Sequence, residues 1–141
     1  MKKAVVLDAN ILFRAILGAK IAEQLNHYKT RIDFFTPAFC YEELRKHVPK
    51  IAEAKNLPAG PFNEAIGKLE KVVLPLDEEI YAHKEREAKD RIGERDIHDW
   101  PIVALALALN CPVWTEDRDF FGTGLSVWSS RNIEIYLSDN D

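Results

Sequence analysis

Asp8, Glu43, Asp99 and Asp117 are the side chains of this sequence best suited to chemistry, although more than a hundred positions separate the first from the last. Carboxylates offer hard oxygen donors of the kind Mg²⁺ and Mn²⁺ prefer, whereas zinc favours His and Cys. Four of them brought together would repel one another and resist ionisation unless a cation compensated the charge. Such a site activates water and stabilises charge on a phosphodiester, so the chemistry expected is metal-assisted hydrolysis. The histidines, His27, His47, His83 and His98, lack zinc spacing and read as surface or structural residues, with His98 notable as a neighbour of Asp99. No Gly-x-Ser-x-Gly elbow, phosphate-cradling glycine loop or dinucleotide fingerprint occurs, so a nucleophilic side chain is not indicated.

The acids need a scaffold that gathers them. Residues 4–7 form an uninterrupted apolar run rich in β-branched side chains, the pattern of a strand covered on both faces. Similar runs at 32–36, 72–75, 112–115 and 133–137 predict further strands. Helical patterns lie between them at 10–18, 19–28, 37–54, 61–71, 77–91 and, strongly apolar, 101–109. Breakers punctuate these elements: Gly18, the Asn56 to Pro61 stretch, and Asn110-Cys111-Pro112. Residues 120–130, rich in Gly and Ser, read as a loop. This alternation predicts a single domain of three α/β/α layers around a mostly parallel sheet of four to five strands.

In open α/β sheets ligands bind beyond the carboxyl ends of the strands. Asp8 follows the first strand directly and Asp117 follows the fourth by two residues, so both belong at that edge. Taken alone, Asp8 reads as a helix N-cap and Asn10 as a turn residue. Glu43 is preferred to Glu42 by helical geometry. Relative to the apolar set Cys40, Leu44, Val48 and Ile51, Glu42 points about 160° from the centre and Glu43 about 100°. Asp96 and Asp99 precede Pro101, which tolerates only the first helical turn, so both stand at or before a helix N-terminus, and either could be a cap. In Thr115-Glu116-Asp117-Arg118-Asp119-Phe120-Phe121, turn chemistry accounts for Asp119, while the two phenylalanines read as an anchor on the core.

The 141 residues, 47% hydrophobic and 30% charged, suit a globular core. A formal charge of −4 does not advertise nucleic-acid binding, yet acids gathered around bound cations would account for part of it. Cys40 and Cys111 lack metal or redox spacing and read as reduced, buried thiols of a cytoplasmic protein. The apolar run 4–7 is too short for a signal-peptide core, and nothing approaches a membrane span. Lys84, Arg86, Lys89, Arg91 and Arg95 alternate with acids, as on a solvated helix laced with i,i+4 pairs or on an RNA-guiding face.

Val5-Val6-Leu7-Asp8-Ala9-Asn10, Glu43-Leu44, Asp99 ahead of Ile102-Val103-Ala104-Leu105-Ala106, and Thr115-Glu116-Asp117 with Asp119-Phe120 run in an order that spans nearly the whole chain. In these motifs the chain resembles the PIN-domain ribonucleases of prokaryotes, many of which are toxins of toxin–antitoxin pairs. The resemblance implies a twisted parallel sheet with helices on both faces, Mg²⁺- or Mn²⁺-dependent cleavage of RNA, an antitoxin protein partner and a homodimer. It implies Asp8, Glu43, Asp99 and Asp117 as catalytic, metal-binding acids, with Asp96 able to replace or supplement Asp99. Asn10 and Thr115 would orient the ligating carboxylates. Two other readings stand beside this one: a binding or regulatory module on the same fold with vestigial acids, and a metal-dependent phosphatase.

Overall fold

The structure is a computed structural model, and it describes residues 2–93 and 97–139. Strand β1 (Lys3–Leu7) leads through helices α1 (Ala9–Leu17) and α2 (Ala19–Tyr28) to β2 (Ile32–Pro37). Helices α3 (Ala38–Lys55) and α4 (Gly60–Leu69) then reach β3 (Val73–Leu76). Two 3-10 turns, Glu78–Ile80 and Ala82–Lys84, precede α5 (Glu85–Ile92); a third, Ile97–Asp99, runs into α6 (Trp100–Leu109). The chain closes with β4 (Val113–Trp114), a 3-10 turn at Arg118–Phe120, β5 (Val127–Trp128) and α7 (Ile133–Ser138).

The five strands form one sheet in the order β3-β2-β1-β4-β5, with every pairing parallel. Parallel neighbours need crossover connections, and the helices supply them in layers. Helices α1 to α4 pack among themselves, whereas α6 packs on α5 and against β1 and β2. Val5, Val6 and Leu7 are wholly buried, and every residue of α6 from Pro101 to Ala106 is buried too. That explains their unbroken apolar sequences, since central strands and a helix wedged against the sheet have no solvated face. Asn110 ends α6 in the left-handed region at φ 52°, its N–H returning to carbonyls of the last turn.

Two expectations fail at the carboxyl end of the chain. Residues 133–137 form helix α7 and not a strand: Ile133 and Leu137, four apart, are buried while Ile135 is 65% exposed, which is helical and not alternating spacing. The last strand is instead β5, inside the stretch read as a loop. Only two residues long, β5 leaves no hydrophobic period to detect, and its pairing is carried by the backbone bonds Val113 N to Ser126 O (2.9 Å) and Thr115 N to Trp128 O (3.0 Å). The helix expected over 77–91 also breaks, becoming two 3-10 turns around Tyr81, whose ring is buried beside Trp100, followed by α5. On α5 the expected ion-pair lacing is present, in Lys89–Glu85 and Arg91–Glu87.

Arg91 also donates from Nη1 to the carbonyl of Thr123 (2.9 Å), tying α5 to the loop after the Arg118–Phe120 turn. Gly124 makes room for this tie: its φ is +85°, and a Cβ there would meet Arg91 Nη1 at 2.6 Å. Gly124→Ala is therefore expected to lower stability by about 1–2 kcal/mol, read from urea denaturation midpoints. Phe120 is buried completely and anchors this loop as expected, while Phe121 is 56% exposed. Among the described residues, no helix is long and apolar enough to cross a membrane.

Candidate active site

The strand order reverses direction between β1 and β4, the place where open α/β sheets leave a crevice beyond their carboxyl ends. Leu7 pairs in register with Trp114, so the next residues, Asp8 and Thr115, emerge side by side there. Asp8 is only 7% exposed. Its Oδ1 accepts from the N–H of Ala9 (2.7 Å), which makes it the N-cap of α1 as its sequence context suggests. Its Oδ2 accepts from Asn10 Nδ2 (3.1 Å) and from the Thr115 hydroxyl (2.8 Å). Asn10 and Thr115 thus touch each other (3.3 Å) and hold the carboxylate from both sides, while Asn10 Oδ1 accepts from Glu116 N–H (3.3 Å). One oxygen of this carboxylate thus caps α1 while the other is held by Asn10 and Thr115.

Asp8, Glu43 and Asp99 line one open cleft of about 600 Å³. Asp99 stands at the N-cap of α6, yet its side chain makes no capping hydrogen bond, so capping does not account for it. Glu43 projects from α3 with its side chain 48% exposed, and its carboxylate lies 3.5 Å from His47 Nε2, one turn along. Neighbouring Glu42 is also exposed but does not line the cleft. The convergence is felt beneath the cleft by Cys40. Burial pushes this thiol up to about 12, a hydrogen bond with Thr36 pulls it back, and the negative charges of Asp8, Asp99 and Glu43 raise it further.

Asp117 is not among the residues lining that cleft. Its N–H donates to Thr115 Oγ1 (2.9 Å), and its Oδ1 accepts from Asp119 N–H (2.9 Å), capping the short turn that follows. It is joined to Asp8 through the shared hydroxyl of Thr115. Asp96 lies outside the described residues. Sequence reasoning passed over Glu78, a fourth carboxylate lining the cleft. Glu78 follows β3 by two residues, as Asp117 was expected to follow the fourth strand, so the strand-end rule could have found it. Phe13, Phe39, Tyr81 and Trp100 supply aromatic walls, with the Tyr81 and Trp100 rings 5.7 Å apart, and His98 lines the cleft as well.

This donor set fits a hard divalent cation: its oxygens are carboxylates, and the most buried one is oriented by hydrogen bonds as ligating carboxylates generally are. Among the described residues, no three His, Cys, Asp or Glu side chains are gathered closely enough to hold one ion in common.

Both cysteines are free; Cys40 is buried and Cys111 partly so. Burial lifts the Cys111 thiol to about 12 as well. Because the folded values lie above the ordinary value near 9, their contribution to stability is complete below pH 9 and is lost as pH rises towards 12. Urea midpoints are thus expected to begin falling above about pH 9, before the tyrosines titrate, and Cys111→Ala to flatten that fall.

An α/β/α protein with acids at its switch point is a defined class, and comparison places the chain within it. A sequence profile of the PIN domain matches residues 6–138, so the chain belongs to the PIN-domain family, whose members are generally nucleases that use divalent metal ions. None of the curated protein sequences compared with the chain matches it. Among solved structures, PAE2754 from Pyrobaculum aerophilum superposes with a TM-score of 0.72 at 14% identity, covering 96% of this chain and 90% of that one. VapBC-1 from nontypeable Haemophilus influenzae gives 0.64 at 19% identity, covering 89% and 97%. FitAcB from Neisseria gonorrhoeae gives 0.54 at 25% identity, covering 88% and 96%.

Proposed function

We propose that this protein is a metal-dependent endoribonuclease that hydrolyses RNA phosphodiester bonds with metal-activated water, acting as the toxin of a toxin–antitoxin pair in the cytoplasm. The observation that carries the reading is the meeting of Asp8, Glu43 and Asp99 in one cleft at the switch point of the sheet. Those three acids would hold Mg²⁺ or Mn²⁺, with Asp117 as a fourth ligand and Asp96 as a supplement to Asp99. A bound ion would supply Lewis acidity to the phosphate and lower the pKa of a coordinated water. Asn10 and Thr115 keep the Asp8 oxygens turned to the cleft, and the aromatic walls of Phe13, Phe39 and Trp100 suit the faces of unpaired bases. The toxin role is supported by the likeness to the VapBC-1 and FitAcB structures. It brings with it an antitoxin protein partner, and the same reading includes a homodimer.

The metal-stripped protein is expected to leave RNA intact and to cut it once Mg²⁺ or Mn²⁺ is restored, followed on denaturing gels. Intact RNA with either ion, together with no divalent-ion uptake by calorimetry at millimolar concentrations, would favour a binding module on this fold. Hydrolysis of a chromogenic phosphomonoester with RNA spared would point to a phosphatase.

A further inference from the structure

A second, separate cavity of about 360 Å³ opens where the carboxyl end of α1, the start of α2 and the turn before α7 meet. Three cations from these three places line it: Arg14, Lys20 and Arg131. None of them makes an ion pair among the described residues, in contrast to Lys84, Lys89 and Arg91, whose acids Glu85 and Glu87 lie on α5. Among the described residues Glu116 is the one acid of the lining, and its Oε1 is engaged by the N–H of Ser130 (2.6 Å). Counting that carboxylate, the cavity keeps an excess of two positive charges in a chain whose total is −4. Ser130 adds a neutral donor: its Oγ accepts from Trp114 Nε1 (3.1 Å), which leaves the hydroxyl proton for a ligand.

The cavity is coupled to the acidic cleft through one wall. Asn10 holds Asp8 with its amide nitrogen and Glu116 N–H with its amide oxygen. Arg14 lies four residues along the same helix, on the face of Asn10, about 6 Å further on. A strand whose reacting phosphate sat beside Asp8 would carry a neighbouring phosphate towards Arg14.

We infer that the Arg14–Lys20–Arg131 cavity is a phosphate subsite that holds a backbone phosphodiester of single-stranded RNA next to the one being cut. The inference rests on the nuclease reading of the acidic cleft. The subsite adds a fixed positive charge where the acids alone would repel the strand, and its contacts are to backbone, so it orients without reading sequence.

The test measures binding apart from cleavage, by fluorescence anisotropy of a labelled single-stranded RNA oligonucleotide in EDTA at low ionic strength. The variant Arg14→Ala/Lys20→Ala/Arg131→Ala is expected to bind about tenfold or more weakly and to lower the salt slope by about 0.7, the contribution of one phosphate. Lys55→Ala, an exposed cation at the end of α3, is expected to bind as the parent does. The three substituted side chains are exposed, so thermal melts should match; if the triple variant melts early, the single variants carry the same comparison. Single-stranded DNA losing affinity by the same factor supports a backbone contact. Unchanged affinity in the variants, or no RNA binding by the parent, overturns the subsite. Metal-dependent cutting that is equal in parent and triple variant overturns the subsite and leaves the nuclease reading standing. Lost affinity in a protein that never cuts RNA does the reverse. Loss of binding to an acidic peptide with RNA affinity retained would reassign the cavity to a protein partner and overturn the proposal.

Discussion

Asp8→Ala is expected to lower metal-dependent RNA cleavage by about a thousandfold or more, corresponding to about 4 kcal/mol of lost transition-state stabilisation. Asp8 is the most secured of the acids, held by Ala9 N–H, Asn10 and Thr115, so its removal takes away the best-oriented oxygen donors of the cleft. The stability effect is expected to be much smaller. Donors left without their acceptor cost about 1–3 kcal/mol. Relief of repulsion from Glu43 and Asp99 offsets part of this in the metal-free protein. Asp99→Ala, at the head of α6 in the same cleft, should lose comparable activity. Thr115→Val, which removes only the hydroxyl that turns Asp8, should reduce cleavage about 10- to 100-fold. Cleavage rates at saturating Mg²⁺, set beside urea midpoints for the same variants, separate these effects. Undiminished cleavage by Asp8→Ala and Asp99→Ala would remove the assignment of the cleft as the catalytic centre.

The same ladder of variants bears on Asp117. In the structure this carboxylate accepts from Asp119 N–H at the start of a short turn, and it does not line the cleft. As the fourth ligand proposed for the ion it should be needed for cleavage, so Asp117→Asn, which keeps an acceptor oxygen for the turn, is expected to cleave RNA more slowly, and cleavage at the parent rate would confine Asp117 to that turn. A loss comparable to that of Asp99→Ala would mean that the turn moves to bring Asp117 beside Asp8 when ion and substrate bind.

How far the sequence disclosed the fold depended on whether an element had a period to read. Val5, Val6 and Leu7 announce a doubly covered strand, and the solidly apolar α6 announces a buried helix, because neither has a solvated face to interrupt the pattern. The two-residue strands β4 and β5 have no period at all. For β4, the break at Asn110-Cys111-Pro112 marked the place, whereas β5 lies among glycines and serines that signal only a loop. The run 133–137 could be read with period two or period four, and contacts distant in sequence decided it: Tyr136 donates to the carbonyl of Ala4 (2.9 Å), and Gln24 donates to Glu134 (2.7 Å). In the cleft, Asp8 was legible from its position at a strand end, whereas position left Asp96 and Asp99 equivalent before α6 and the family resemblance favoured Asp99. Glu43 needed the helical wheel, and Glu78 was hidden because the segment around it looked like ordinary helix. The cationic cavity was not legible, since Arg14, Lys20 and Arg131 share no motif and meet only through the return of the chain after β5.

Trp114→Ala is expected to be the most damaging single change to the fold, costing about 3–5 kcal/mol against the 5–15 kcal/mol that typically stabilises a domain. The indole is fully buried in β4, faces Phe34 of β2 with ring centroids 6.5 Å apart, and donates to Ser130 Oγ. Few other residues join the sheet, the core and the turn before α7 at once. Trp114 also fixes the site, because Thr115 follows it, and the pairing of Trp114 with Leu7 is what sets the Thr115 hydroxyl against Asp8. A cavity in its place allows β4 to shift, so cleavage by the molecules that remain folded should fall along with the urea midpoint. Trp114→Phe separates the two roles. It keeps most of the packing and the β4 register but loses the bond to Ser130, so about 1–2 kcal/mol of stability should go while cleavage survives. Cleavage lost in Trp114→Phe at parent-like stability would instead locate the essential contribution of this residue in its link to Ser130, on the cationic side of the shared wall.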